Sequence, residues 1–276
     1  MIIPSLAIHM NRDANNGSRL SMQGDMLPLY SLEGAGGDLL SLIAENAGVL
    51  KEEILGSDLF AVNHQKGCIW GPDGEFISAP RIDDLQCAYA ALRGFLSGER
   101  KEHLSVYALF DNEEIGSRTL QGAESTFLQD VLRRIYLCLG RDFQRWQMDL
   151  ARSFMISADN AHAVHPNYPE KADPVNQPVI GGGVVLKFSG MQKYCTDARS
   201  AALFRQLAKE AGCSVQVYTN HSDNPGGSTL GNLSLEHVSI STADIGLPQL
   251  AMHSPYETAG TKDTEDLARI MKVFYH

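Results

Sequence analysis

Residues 104–117 read LSVYALFDNEEIGS, and the fold class turns on this stretch. Positions 104–110 form an uncharged, largely apolar run of strand length. Asp111, Glu113 and Glu114 follow at once, with no basic neighbour before Arg118. Apolar strands that end in charge are the pattern of a covered α/β sheet, which places its ligands at strand ends. Working outward, residues 84–96 carry Leu85, Tyr89, Leu92 and Leu96 on one helical face. Residues 126–152 predict one long helix with Leu128, Leu132, Ile135 and Leu139 inward. Strands are predicted at 154–157, 184–188, 215–218 and 238–240. A helix at 198–211 ends at Gly212, and a closing helix at 263–275 takes Thr261 or Asp263 as its cap. The alternation predicts an α/β fold, a mostly parallel central sheet flanked by helices.

The first 75 residues read as shorter pieces. An apolar stretch at 2–10 meets a polar break at 11–17, and a Gly-rich turn follows at 34–37. A helix at 38–47 presents Leu39, Leu42 and Ile43, and DLFAV at 58–62 reads as a strand. Gly71-Pro72-Asp73-Gly74 is a turn signal and marks a seam. Two domains are therefore expected, 1–75 and 76–276.

The balance of 23 basic against 33 acidic residues gives a net charge of −10. This argues against a nucleic-acid surface and against an anionic membrane surface. No apolar run reaches the 18 residues a spanning helix needs, and residues 1–10 do not read as a secretory signal. The five cysteines are scattered and never spaced CxxC, which predicts reduced thiols in a cytoplasmic protein.

Four polar segments follow predicted strands or precede helices. In PRIDDL, Asp83 and Asp84 fit a helix cap as readily as a ligand. In DNEEIGS, like charges invite a cation or a raised pKa, although a solvated turn also carries such charges. In SADNAHAVHP, Asp159 stands at the strand end ahead of His162 and His165. In QLAMHSPYE, His253 lies shortly before Pro255, which predicts extended backbone there. Together these supply Asp83, Glu113, Glu114, Asp159 and His253. Oxygen and nitrogen donors without thiolates suit zinc, cobalt or manganese. A two-metal site needs a bridging carboxylate, and a further carboxylate must stay free to take a proton from water. Adjacent Glu113 and Glu114 fit that division.

These segments resemble those of the aspartyl aminopeptidase family of di-zinc exopeptidases. IPSLAIHMNRD near the start and SDNPGGSTLG later extend the resemblance over nearly the whole chain. The resemblance implies removal of an N-terminal residue from peptides, acidic or neutral by member, by dimers that build tetrahedral dodecamers. It implies a zinc-exopeptidase catalytic domain at 76–276 and part of a smaller β-rich dimerisation domain at 1–75. It implies that Asp83 bridges two zincs, Glu114 and His253 hold one, Asp159 holds the other, and Glu113 is the general base. It further implies that His9 reaches a partner subunit's site to steady the oxyanion.

The chain departs from the family in one respect. The family's HTDSP-like motif, whose His is a zinc ligand, has no counterpart, since neither His9 nor His64 is followed by Thr-Asp. The resemblance thus implies a fragment, a processed or split chain, or a shortened relative, with the zinc on Asp159 weakened. A catalytically impaired assembly or binding subunit on the same scaffold is the alternative.

Weaker signals complete the reading. Ser228 and Thr229 resemble a family loop near the substrate, and they equally read as a turn opening a helix. Lys187 is placed to meet an acidic substrate side chain or, as strand-end lysines usually are, to be exposed. Gly181-Gly182-Gly183 lacks the GK[ST] of a phosphate loop, and Cys195 has no neighbouring base in sequence.

Overall fold

The computed structural model describes residues 1–11, 13–17, 19–34, 37–99, 103–223 and 226–276. Arg12 of the polar break, Ala35 and Gly36 of the Gly-rich turn, and Asn224 and Pro225 of SDNPGGSTLG lie outside the described residues. The chain divides into two units, Met1–Val62 and Asn63–His276.

In the first unit, α1 (Leu39–Ala47) forms as read. The Asp38 side chain accepts from the Ser41 N–H, and left-handed Gly48 closes the helix. The expected β-rich character is reduced, among the described residues, to one bridge between Ile2 and Leu29. Residues 58–62 carry no strand. Leu59, Phe60 and Val62 are exposed, so no ladder or apolar partner orders them as one.

The second unit begins before the predicted seam. β1 (Cys68–Trp70) pairs with β2 (Phe76–Ala79), so residues 71–74 are the turn of a hairpin rather than a domain boundary. Then come α2 (Ile82–Ser97), α3 (Phe127–Cys138), α4 (Phe143–Arg152), β3 (Phe154–Ala158), β4 (Ala161–His162), β5 (Val184–Lys187), α5 (Ala198–Glu210), β6 (Val215–Tyr218) and α6 (Leu230–Ser234). β7 (Ser241–Gly246), β8 (Pro248–Leu250), β9 (Glu257–Gly260) and α7 (Thr261–Phe274) close the chain. Among the described residues, no helix is long and apolar enough to cross a membrane.

The strands form two sheets. One runs β3-β7-β5-β6, with β3 parallel to β7, β5 parallel to β6, and β5 antiparallel to β7. The other runs β1-β2-β9-β8-β4, antiparallel except between β4 and β8. The first is the expected mostly parallel sheet. Val184 and Leu186 of β5 and Ala243 and Ile245 of β7 pack against Phe204 of α5 and Leu267, Ile270 and Met271 of α7. Cys87, Ala90 and Ala91 of α2 join the same core.

Three predicted elements differ. The helix expected at 126–152 is two helices, because Gly140 turns left-handed (φ 68°) and the Asp142 side chain caps α4 through Arg145 N–H. The strand expected at 238–240 begins at Ser241 instead, and Val238 packs with Leu128, Leu132 and Trp146 in a second cluster. Residues 104–110, the run read as a strand, join no ladder. A strand needs a hydrogen-bonded neighbour, and here Tyr275 Oη donates to the Val106 carbonyl while Tyr107 Oη donates to that of Ala88.

Candidate metal centre

The first turn of α2 departs from helical geometry at Asp83 (φ −78°, ψ 116°) and Asp84 (φ −109°, ψ 21°). The N-cap is Arg81 (φ 60°), without a side-chain cap bond, rather than Asp83 or Asp84. Asp83 faces a different set of groups. Glu113 and Glu114 sit in one 3-10 turn, Glu113–Ile115, entered through left-handed Asn112 (φ 60°) and left through Gly116 (φ 99°). That turn leaves Glu113 half-buried and Glu114 exposed. His253 is not extended as Pro255 had suggested. It holds φ 65°, two residues after Ala251 at φ 58°.

These three loops converge. His253 Nε2 lies 3.2 Å from Asp83 Oδ2 and 3.0 Å from Glu114 Oε2. One donor atom each from Asp83, Glu114 and His253 falls within 4.8 Å of the others. Among the described residues, no other set of three histidines, cysteines or carboxylates does so. The donor set suits a borderline cation such as zinc. Asp83 Oδ1 and Asp84 Oδ1 are buried without a hydrogen-bond partner. Orphaned buried carboxylate oxygens are costly unless a cation satisfies them, so the residues present fit one divalent ion.

The local charges agree. Burial pushes Asp83 upward, and Asp159, Glu114 and Asp84 push it further. Burial also raises Glu114, although His253 opposes this. Asp84 is pushed up to about 8 by burial and then by Asp159. Glu113 is pushed up to about 7 by burial, then by Asp159 and Glu114. A carboxyl raised on folding binds its proton more tightly folded than unfolded. Between its ordinary value near 4 and its folded value, the folded state therefore holds more protons, and stability falls as pH rises through that window. The Tm of chelator-treated protein is expected to fall from about pH 5 to about pH 8. A Tm that rises over that range contradicts the charge crowding.

Asp159 stands apart from the three-residue cluster. It follows β3, and its Oδ2 accepts from Lys187 Nζ at 3.0 Å. Lys187 is not an exposed strand-end lysine. It is 2% exposed, and its ammonium lies 5.6 Å from the Tyr194 ring centre. Burial alone would lower its pKa, but Asp159, Tyr194 and Asp244 carry it well above the ordinary lysine value. The local reason is Gly246 on β7. A Cβ there would lie 2.2 Å from the Asp159 carbonyl oxygen and 2.9 Å from Lys187 Cε, so a side chain would displace the backbone that carries Asp159.

The two predicted substrate-loop residues separate as well. Ser228 is exposed and pairs with Asn232. Thr229 is buried, and its hydroxyl donates to Asp244 Oδ1 at 3.0 Å. Asp244 Oδ2 accepts the Cys195 backbone N–H and the Cys195 thiol. Thr229 thus fastens the start of α6 to β7. His9 is exposed within the first unit.

The sequence reading left Glu257 without a role. From β9, its Oε2 accepts the Asp83 N–H at 2.9 Å and its Oε1 accepts the His253 N–H at 2.7 Å. The available signal was a carboxylate four residues after His253. Beside these residues lies a cavity of about 410 Å³, lined in part by His162, Lys171, Tyr218, His221 and Gln249, and reaching Ala251.

Residues 1–275 match the family described as aminopeptidase I zinc metalloprotease (M18). A protein of Clostridium acetobutylicum described as a probable M18 family aminopeptidase 2 is 44% identical over 280 residues, covering 100% of this chain and 65% of its own length. The chain therefore spans just under two thirds of the length of this curated relative. A crystal structure of prApe1 superposes with a TM-score of 0.85 at 28% identity, over 99% of this chain and 62% of that one. The mApe1 dodecamer of S. cerevisiae superposes with a TM-score of 0.74 at 31% identity, over 86% of this chain and 54% of that one.

Proposed function

Because the chain belongs to the aminopeptidase I zinc metalloprotease (M18) family, we propose that it removes the N-terminal residue of peptides, with zinc held by Asp83, Glu114 and His253. The observation that carries this reading is the convergence of those three donors, with His253 Nε2 against Asp83 Oδ2 and Glu114 Oε2. Zinc held by these residues would supply Lewis acidity toward water and a peptide carbonyl.

The remaining chemistry falls to the chain's own side chains. The Glu113 carboxylate, raised to about 7 and outside the donor cluster, takes the proton of the attacking water and returns it to the departing amine. Lys187 neutralises Asp159 and fixes its Oδ2. With Asp159 so engaged, we assign one zinc to this chain's own donors, and cobalt or manganese suits the same set. The cavity lined in part by Lys171 offers an ammonium to an acidic first side chain. Likeness to the mApe1 dodecamer and the exposed Ile2, Leu6 and Ile8 of the first unit support homo-oligomers.

The test is release of the first residue from short peptides beginning with Glu or with Ala. The chelated chain is expected to release none, and added zinc is expected to restore release, faster from the Glu peptide. A zinc-loaded chain that releases neither residue contradicts the reading and favours an assembly subunit.

A further inference from the structure

We infer that Glu257 is the positioning residue of the metal centre, a buried carboxylate that ties the backbone of Asp83 to the backbone of His253 and so sets the distance between two donors far apart in the chain. The inference rests on the metal-site reading above and concerns what holds that site in shape.

Its two oxygens are used differently from those of a ligand. Each accepts one backbone N–H, from Asp83 and from His253, and Glu257 is not among the converging donors. Its burial, at 2% exposed, keeps water from competing for either bond. The bonds also fall where backbone support is needed. His253 occupies the left-handed region, which a residue with a Cβ holds only when its surroundings impose it. Asp83 lies in a helix entrance that is not helical. Neither amide is held by the usual helix or sheet ladder, and a buried N–H needs a partner.

Glu257 itself sits on a rigid element. It is paired in register with Ala79 of β2, the strand that leads through residues 80–82 into Asp83. One sheet pairing therefore fixes the entry to Asp83, while the carboxylate reaches across to His253. Its negative charge also adds to the field at Glu114, which favours a cation there. Partners of this kind, which orient ligands without touching the ion, typically change metal affinity by 10–100-fold when altered.

The test uses the full chain carrying Glu257→Gln. The amide keeps the shape but offers one acceptor and one NH₂ donor, so one backbone N–H faces another donor. Zinc affinity, measured by competition with a chelating dye, is expected to weaken by about 10–100-fold. The visible absorption of the cobalt-loaded variant is expected to differ from the parent's, while the far-UV circular dichroism of the metal-free proteins coincides. Equal zinc affinity and an identical cobalt spectrum in parent and variant overturn the inference and leave the metal centre standing. A parent that binds neither ion overturns the metal-site reading itself. Should the variant not fold, amide exchange in the metal-free parent decides. Protection of the Asp83 and His253 amides is expected, and unprotected exchange of both overturns the inference.

Discussion

Replacing Glu113 with Gln is expected to lower kcat for release of an N-terminal residue by about 10²–10⁴-fold, the usual contribution of a positioned general base. Zinc affinity is expected to stay within about twofold, because Glu113 lies outside the cluster of Asp83, Glu114 and His253. The argument rests on the 3-10 turn that separates two adjacent carboxylates. Glu114 projects outward to within 3.0 Å of His253, while Glu113 stays half-buried. Burial and the charges of Asp159 and Glu114 raise Glu113 to about 7, where a carboxylate both accepts and returns a proton near neutral pH. Glutamine preserves the shape and holds no such proton. A variant as fast as the parent, with zinc bound, removes Glu113 from the mechanism and passes the proton to another group.

The second large effect is on stability. Lys187→Met is expected to destabilise the chelated protein by about 3–5 kcal/mol, the usual result of stranding one partner of a buried pair. For a unit of this size that is a fall in Tm of about 6–20 °C. The ammonium is 2% exposed and lies 3.0 Å from Asp159 Oδ2, so its removal leaves a largely buried carboxylate beside Asp83 and Asp84. A second change, Asp159→Asn, removes that uncompensated charge. The double variant is therefore expected to be more stable than Lys187→Met alone. A single variant within about 2 °C of the parent, or a double variant less stable than the single, shows that the pair is not the buried unit described here.

What the sequence disclosed follows from where each signal resides. The helices α2, α5 and α7 and the strands β5 and β6 advertise themselves through local periodicity, and all form close to the predicted bounds. β7 does not. Its sequence STADIG is half polar, and the burial of Asp244 is explained only by Thr229 and Cys195, which come from elsewhere in the chain. Residues 104–110 show the reverse error. An apolar run has strand composition on its own, but a strand exists only with a neighbour. At the site, residue type and order suggested Asp83, Glu114 and His253, and resemblance supplied their roles. The place of Asp159 beside Lys187 depends on the missing side chain at Gly246, and the place of Glu257 depends on two backbone amides. The first leaves no trace in spacing, and the second leaves only a carboxylate four residues after His253.

The most direct measurement is a zinc-edge anomalous difference map from crystals of chelator-treated protein soaked in zinc. The account predicts a peak bonded to Asp83, Glu114 and His253, at about 2.0–2.2 Å from each donor. A map with zinc bound elsewhere, and with His253 still directly hydrogen-bonded to Asp83 and Glu114, contradicts it.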